Sequence, residues 1–468
     1  MDTTTLTHTQ QSAPAQSPRP RVVIIGAGFG GLNAARRFRN APVDVTVIDR
    51  SNHFVFQPLL YQVATAELSP ADISAPIRGV LRWQRNTRTL LANVTSVDVE
   101  RREVVASDLG DAHEHHIPYD YLIIATGAHE SYFGHNDWAK HAPGLKSISD
   151  ATSIRRQILL AFETAEMETD PDRIAALMTF IVVGGGPTGV EMAGAIADLA
   201  HKGVRRDFRA IDTAKARVLL VELGPRLLPQ FPDGLGRKAK GALQRLGVEV
   251  RLGEEVKQID DDGALIGDEY VRAQTIMWAA GVQASPAAKW LGVDPAKAGR
   301  VTVGPDLTVE GRPEVYVLGD TASARDRDGS PLPGVASVAI QQGHYAARAI
   351  LQRIKQRDPA APIAPFRYFD RGILATVGRT YAVGKIGPLR LSGFPAWVVW
   401  AGVHIAYLIG FRNRVLVLMQ WAWKYLTYQR GARLITRDPR DTHTDVQHAL
   451  PDQPDQPARE ATSSSSAR

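Results

Sequence analysis

Apolar positions along this chain fall into two patterns: unbroken aliphatic runs that stop at glycine, and longer stretches with helical spacing. Residues 21–36, RVVIIGAGFGGLNAAR, set the first pattern, with glycines at Gly26, Gly28, Gly30 and Gly31 ahead of a helix-forming tail. This order predicts a strand, a tight turn and a helix. Gly26 permits the turn, Gly28 lets backbone approach a pyrophosphate, and Gly31 lets helix pack on strand. The phosphates of a dinucleotide would then meet the helix N-terminus. Residues 43–49, VDVTVID, form a second apolar run closing on Asp49, where a ribose hydroxyl would be held. The next stretch, HFVFQPLLYQVATAEL, is too apolar for an exposed loop despite Pro58, so it is expected to lie buried or against a ligand. Residues 89–105 are β-rich. Residues 119–127 read as a buried strand entering a turn through Ala125, Thr126 and Gly127, which returns the chain to the first dinucleotide unit.

Asp150 is placed to cap a helix in which Ile154, Ile158, Leu159 and Phe162 share a face, and this helix marks a domain boundary. The glycine pattern then repeats. TFIVVGGGPTGVEMAGAIADLA carries Gly184, Gly186 and Gly189, and the following strand closes on Glu222. Two copies, each with an acid ending the next strand, predict two dinucleotide folds of α/β class. An acid in that position fits an unphosphorylated ribose, which favours NADH over NADPH, with Arg226 nearby as a counterweight. A third apolar run, PEVYVLGDTA, closes on Gly319 and Asp320, whose carboxylate suits a sugar-like hydroxyl chain, and a helix bearing Gln341 and Gln342 follows.

Composition sharpens this picture. The chain has 468 residues, a net charge of +6 and no cysteine. Its length calls for two or three domains. The missing cysteine removes disulfides, thiolate metal sites, Fe–S clusters and every redox step through a cysteine pair. His113, His115 and His116 lie on a Gly- and Asp-rich hairpin and are expected to be solvated, so no metal is expected. The polar residues 1–20 have no apolar secretory core, and a disordered leader on the cytosolic side is expected.

The basic charge has a definite place. Residues 371–437 contain no Asp or Glu but ten Lys or Arg, around the runs FPAWVVWAGVHIAYLIGF and VLVLMQWAWKYLTYQRGARLI. In the second run Leu418, Trp421, Ala422, Tyr425 and Tyr428 share one helical face, with Gln420, Lys424 and Thr427 on another. Trp and Tyr with cations and no acids suit an interfacial amphipathic anchor at an anionic membrane surface. The cations are separated by long aliphatic runs, so nucleic acid is not the expected partner. Eighteen residues of helix reach about 27 Å against a hydrocarbon core of roughly 30 Å, so the stretch is expected to lie on the membrane and not cross it. A homodimer sharing these helices is a further expectation, and residues 438–468 read as a disordered tail.

With VIIGAGFGGL, FQPLLYQVATA, YDYLIIATGA, GGGPTGVEMAG, VYVLGD, VAIQQGHY and QWAWKYLTYQRGARLI in view, the chain resembles the type II NADH dehydrogenases, single-chain NADH:quinone oxidoreductases of the two-dinucleotide-domain flavoprotein superfamily. The resemblance implies two Rossmann-like, glutathione-reductase-like domains and a C-terminal amphipathic anchor. FAD would lie over residues 21–149 and 281–370, NADH over 150–280, and the anchor over 371–437. Gly26, Gly28, Gly30, Gly31 and Asp49 would hold the ADP part of FAD, with Ala125, Thr126 and Gly127 beside it and Gly319 and Asp320 at the ribityl region. Gly184, Gly186, Gly189 and Glu222 would hold NADH. Glu191 would face flavin and nicotinamide, with Gln341, Gln342 and Lys385 bordering a quinone, ubiquinone or menaquinone. The family's quinone motif commonly begins Ala-Gln, whereas here Ser337 follows Ala336, and a different headgroup preference is expected. The enzyme would sit as a monotopic protein on the cytoplasmic face of the cell membrane. A soluble NADH-dependent ferredoxin-type reductase and an NADH-responsive flavin-binding protein are the alternatives.

Overall fold

The structure, a computed structural model, describes residues 19–110, 113–427 and 430–436. The leader through residue 18, the tail from 438, Tyr428 and Arg437 lie outside the described residues.

The strand Arg21–Ile25 runs parallel between Asp44–Asp49 and Tyr121–Ile124, and Arg312–Val317 pairs beyond the latter. Residues from both ends of the chain thus share one 8-stranded sheet. Its inner strands are buried on both faces, which is why they read as unbroken apolar runs and not as alternation. A second, 4-stranded sheet repeats the plan, with Thr179–Val183 parallel between Arg217–Glu222 and Thr275–Trp278. The helix Phe29–Arg37 packs on the long helix Ala336–Gln356 at backbone contact, for a Cβ on Gly343 would come 2.2 Å from the Gly30 carbonyl oxygen. Gly30 is therefore a helix-packing residue in this fold.

Three local readings change. The helix cap is Ser147, not Asp150. Its side chain accepts the Asp150 N–H at 3.1 Å while Asp150 Oδ2 accepts the Ser147 N–H at 2.7 Å, a reciprocal box that starts the helix at Ile148. The segment from 371 is not anchor throughout. Ile373–Val377, Tyr381–Ile386 and Leu389–Gly393 form an antiparallel three-stranded sheet, whose edge lies on the helix Pro187–Asp198 so closely that a Cβ on Gly194 would meet the Gly378 nitrogen at 2.7 Å. The helices Phe394–Tyr407 and Phe411–Thr427 follow, separated by a bend in which Gly410 takes φ +89°.

The face expected on the last helix divides. Trp421 turns inward, its ring tilted against that of Trp400 at 5.1 Å, and Val417 is also buried, whereas Leu418 and Tyr425 stay exposed with Phe394, Val398, Phe411, Met419 and Trp423. Gln420, expected on the polar face, points at the body and donates to Asp72 Oδ2 at 3.2 Å. Each terminal helix thus has apolar residues on two sides, one covered by protein and one bare. Among the described residues no helix is long and apolar enough to cross a membrane.

Candidate active site

The two glycine turns superimpose in their chemistry. Gly26 and Gly184 take φ of +93° and +112°, and a Cβ on either would strike the next parallel strand's end, at Ala125 O (2.4 Å) or Ala279 O (2.6 Å). A Cβ on Gly31 or Gly189 would lie 1.8 Å from the carbonyl oxygen of Gly26 or Gly184, so the helix can start only with glycine there. Space around the Cα of Gly28 and of Gly186 is open instead, on the side where a pyrophosphate would approach.

Each turn is braced by its acid. Asp49 Oδ2 accepts the Ala27 N–H at 2.6 Å and Oδ1 the Ser51 N–H at 2.7 Å. Glu222 Oε2 accepts the Gly185 N–H at 2.5 Å and Oε1 the Gly224 N–H at 2.6 Å. Each carboxylate oxygen keeps a lone pair for a ribose hydroxyl. Burial pushes the Asp49 carboxyl above its usual range, and the two N–H bonds oppose that shift. Arg226 bonds the carbonyls of Pro229 and Phe231 and pairs with Asp233, so its guanidinium is engaged within its own loop.

Around the first turn the structure gathers residues distant in sequence. Thr126 Oγ1 lies 2.5 Å from Ser285 Oγ and 3.2 Å from Thr321 Oγ1, and Thr321 also donates to the Gly127 carbonyl. Gln342, buried, accepts the Gly319 N–H at 2.6 Å and so holds the turn that presents Asp320. Asp320 is half-buried, and among the described residues its carboxylate takes no hydrogen bond or ion pair. An uncommitted acid beside an open glycine turn fits the polyhydroxyl and phosphate portions of a flavin dinucleotide.

Gln341 binds Phe369 in both directions, donating to its carbonyl at 2.9 Å and accepting its N–H at 3.0 Å. Three residues on, Gly372 abuts the Lys385 carbonyl on the central strand of the small sheet. The Gln341 amide is thus bonded to backbone at both ends, and the Gln342 amide at its oxygen. Ser337 shares a hydrogen bond of 3.0 Å with Tyr368.

Glu191 is the fifth residue of its helix, beyond the first turn where an acid would answer the helix dipole. It is 9% exposed, accepts the Thr376 N–H at 3.3 Å, and is pushed up to about 8 by burial. Sequence reasoning missed Tyr61, Gln62 and Thr376, which surround it, although the expected burial of the 53–68 stretch marked the place. The hairpin histidines are solvated, with His115 and His116 beside Asp108 and Glu103, and no metal-holding group occurs among the described residues.

Two acid-braced glycine turns, one on each sheet, fit a protein that holds two dinucleotides. A family model for pyridine nucleotide-disulphide oxidoreductases matches residues 20–343, although this chain has no cysteine with which to form a redox disulphide. The chain is 48% identical over 437 residues to the type II NADH:quinone oxidoreductase Ndh of Mycobacterium tuberculosis, covering 91% of this chain and 93% of that one. It is 43% identical over 428 residues to NdhA of the same organism, covering 89% and 90%. NDH2 of Plasmodium falciparum, solved in complex with NADH, shares the fold with a TM-score of 0.81 at 22% identity, over 90% of this chain and 100% of that one. The chain belongs to the type II NADH:quinone oxidoreductases.

Proposed function

We propose that this protein carries two electrons from NADH through bound FAD to a membrane quinone without pumping protons, while resting on the cytoplasmic face of the membrane through residues 394–437. The observation that carries the reading is the pair of acid-braced turns, one of which shares its sheet with the strand leading to Asp320. Gly26, Gly28, Gly31, Asp49 and Asp320 hold FAD, with Ala125, Thr126 and Gly127 alongside. Gly184, Gly186, Gly189 and Glu222 hold NADH. The engagement of Arg226 within its own loop supports preference for the unphosphorylated ribose.

FAD supplies hydride acceptance from nicotinamide and electron delivery to a quinone. The chain supplies orientation and a dry setting. Gln342 positions Gly319, Gln341 and Lys385 border the quinone, and Glu191 offers a proton to the reduced quinone because burial keeps it protonated at neutral pH. Ser337, bonded to Tyr368, leaves the quinone headgroup a different neighbour from the glutamine common in the family.

Membrane attachment rests on the bare side of the terminal helices, where Phe394, Val398, Phe411, Leu418, Met419 and Trp423 are exposed together. Sedimentation in detergent decides whether a second copy covers part of this strip as a homodimer. The soluble-reductase and binding-protein alternatives lose ground to the relatives' quinone oxidoreductase names. The deciding experiment mixes purified protein with NADH and a short-chain quinone and follows the flavin absorbance. Bleaching by NADH followed by quinone-dependent recovery is the expected course, and bleaching without recovery would overturn the proposal.

A further inference from the structure

Four side chains from three distant parts of the chain form one line of hydrogen bonds. Trp421, on the last helix, donates its Nε1–H to Gln62 Oε1 at 2.8 Å. Gln62 Nε2 donates to the Tyr61 hydroxyl at 2.9 Å, and that hydroxyl lies 3.0 Å from Thr376 Oγ1. The Thr376 backbone N–H then donates to Glu191 Oε1. Gln62, Tyr61, Thr376 and Trp421 are each at most 6% exposed, so these bonds lie inside the protein. A cavity beside them is lined by Tyr61, Gln62, Trp400 and Trp421 together with Glu67 and Asp198. Arg430, just past the last helix, clamps the same two helices, donating to the carbonyls of Thr65 and Ala195.

We propose that the terminal membrane helix acts on Glu191 through Gln62, Tyr61 and Thr376, so that seating Trp421 sets how firmly the Glu191 carboxyl is held. Tyr61 and Gln62 are thereby positioning residues for the reaction, a role that rests on the proton function of Glu191 argued above. The geometry supports this direction of action. Gln62 must offer its oxygen to Trp421 and its nitrogen to Tyr61, which fixes the amide's orientation. Tyr61 and Thr376 then share one hydrogen bond between their hydroxyls, in which either can be the donor. Thr376 is thus held by its side chain while its N–H faces the carboxylate.

Few other charges bear on Glu191. The strand Ile373–Val377 and the strand Thr179–Val183 carry no ionisable side chain. From the short helix Leu60–Ala64 comes Tyr61, which burial keeps neutral, and Glu67 beyond it acts on Tyr61. Glu222 is turned onto its glycine turn, Lys202 pairs with Asp198, and the buried Arg430 is spent on the Thr65 and Ala195 carbonyls. Among the other cations, Lys238 bonds Ser392, Arg245 lies over Tyr381, Arg217 pairs with Glu249 and Arg251 with Glu269, while Arg237 is exposed and Lys240 partly so. With burial unchanged, a shift in the Glu191 titration therefore reports on the Thr376 N–H.

The test uses the full-length, flavin-loaded protein on anionic vesicles, with NADH and a short-chain quinone, and reads the pH midpoint of steady-state turnover. The Thr376 N–H favours the charged carboxylate, so loosening it raises the midpoint. Tyr61→Phe and Thr376→Val keep the side-chain shape and Trp421→Phe keeps an aromatic ring, though a smaller one; each deletes one link, and each should raise the midpoint by roughly half to one pH unit. The Tyr61→Phe/Trp421→Phe double variant should move it no further than the larger single effect, because both cut one line. Trp83→Phe, an exposed aromatic on the body, should leave it in place. Unmoved midpoints, additive shifts, or an equal shift from Trp83→Phe would overturn the proposal. Should one variant lose its flavin, the other two decide. Glu191→Gln separates the two ideas: a flat profile there with unmoved midpoints in the others sinks this inference alone, whereas an unaltered profile sinks the proton role of Glu191 as well.

Discussion

Thr376 donates its backbone N–H to Glu191 across 185 positions of sequence, and this contact places the small C-terminal sheet against the helix of the second dinucleotide turn. The acid is buried with that single N–H as its polar partner, and burial lifts it to about 8 from an ordinary 4.5. The folded protein therefore holds a proton there that the unfolded chain has released. Stability from this group is complete below about pH 4.5 and is lost as pH rises toward about 8, at about 1.4 kcal/mol per pH unit within that window. Glu191→Gln should remove this decline, seen as a thermal midpoint that no longer falls between pH 5 and 8 as far as the wild type's. The same variant should lower quinone-linked turnover roughly 10²- to 10⁴-fold and flatten its pH profile, since a glutamine has no proton to give.

Gly31 and Gly189 make matched predictions with different readouts. A methyl at either position meets a carbonyl oxygen that belongs to the rigid turn itself, so relief requires the helix to move. Gly31→Ala should cost about 1–3 kcal/mol and yield protein with reduced flavin content by its visible absorbance. Gly189→Ala should keep its flavin and raise the KM for NADH. Exchange of these two outcomes would reverse the assignment of the turns.

Phe411 and Trp423 are 83% and 59% exposed, on the bare side of the terminal helices. Burying each in lipid contributes roughly 1.5–3 kcal/mol, so Phe411→Ser with Trp423→Ser should weaken partition to anionic vesicles by roughly 10²- to 10⁴-fold. Oxidation of NADH by a short-chain quinone in solution should persist. Point substitution is the better tool than truncation, because removing residues after 390 would also delete Trp400 and Trp421, which belong to the core.

Arg430 is 3% exposed and joins the Thr65 and Ala195 carbonyls. Arg430→Ala leaves both acceptors and a space behind, at a cost of about 2–4 kcal/mol. Calorimetry should show a lower melting temperature, and Arg430→Lys should recover it only in part, since an ammonium lacks the planar fork that reaches both oxygens.

Both glycine turns and their acids, Asp49 and Glu222, were legible in the chain because their requirements are local. A positive φ at Gly26, a missing Cβ at Gly31 and an acid at a strand's end are demands that a short window of sequence must meet by itself. Basic and aromatic character over 394–427 was legible for the same reason, being a property of composition.

Which side each terminal-helix residue faces was not. Trp421 and Leu418 are one turn apart and equally apolar, and only the docking of the helix on Gln62 and Trp400 decides that one is core and the other bare. Likewise Ser147 displaced Asp150 as the cap because a reciprocal bond between the two wins over either alone. The small sheet over 373–393 escaped notice because its strands are short and half-exposed, so their alternation is weak. Sequence by itself determined that this chain holds two dinucleotides and carries a basic, aromatic C-terminal stretch. Tertiary structure alone decided what Glu191 touches and how Gln341 and Gln342 are bonded, because these depend on contacts between segments 23 to 185 residues apart, which no local pattern encodes.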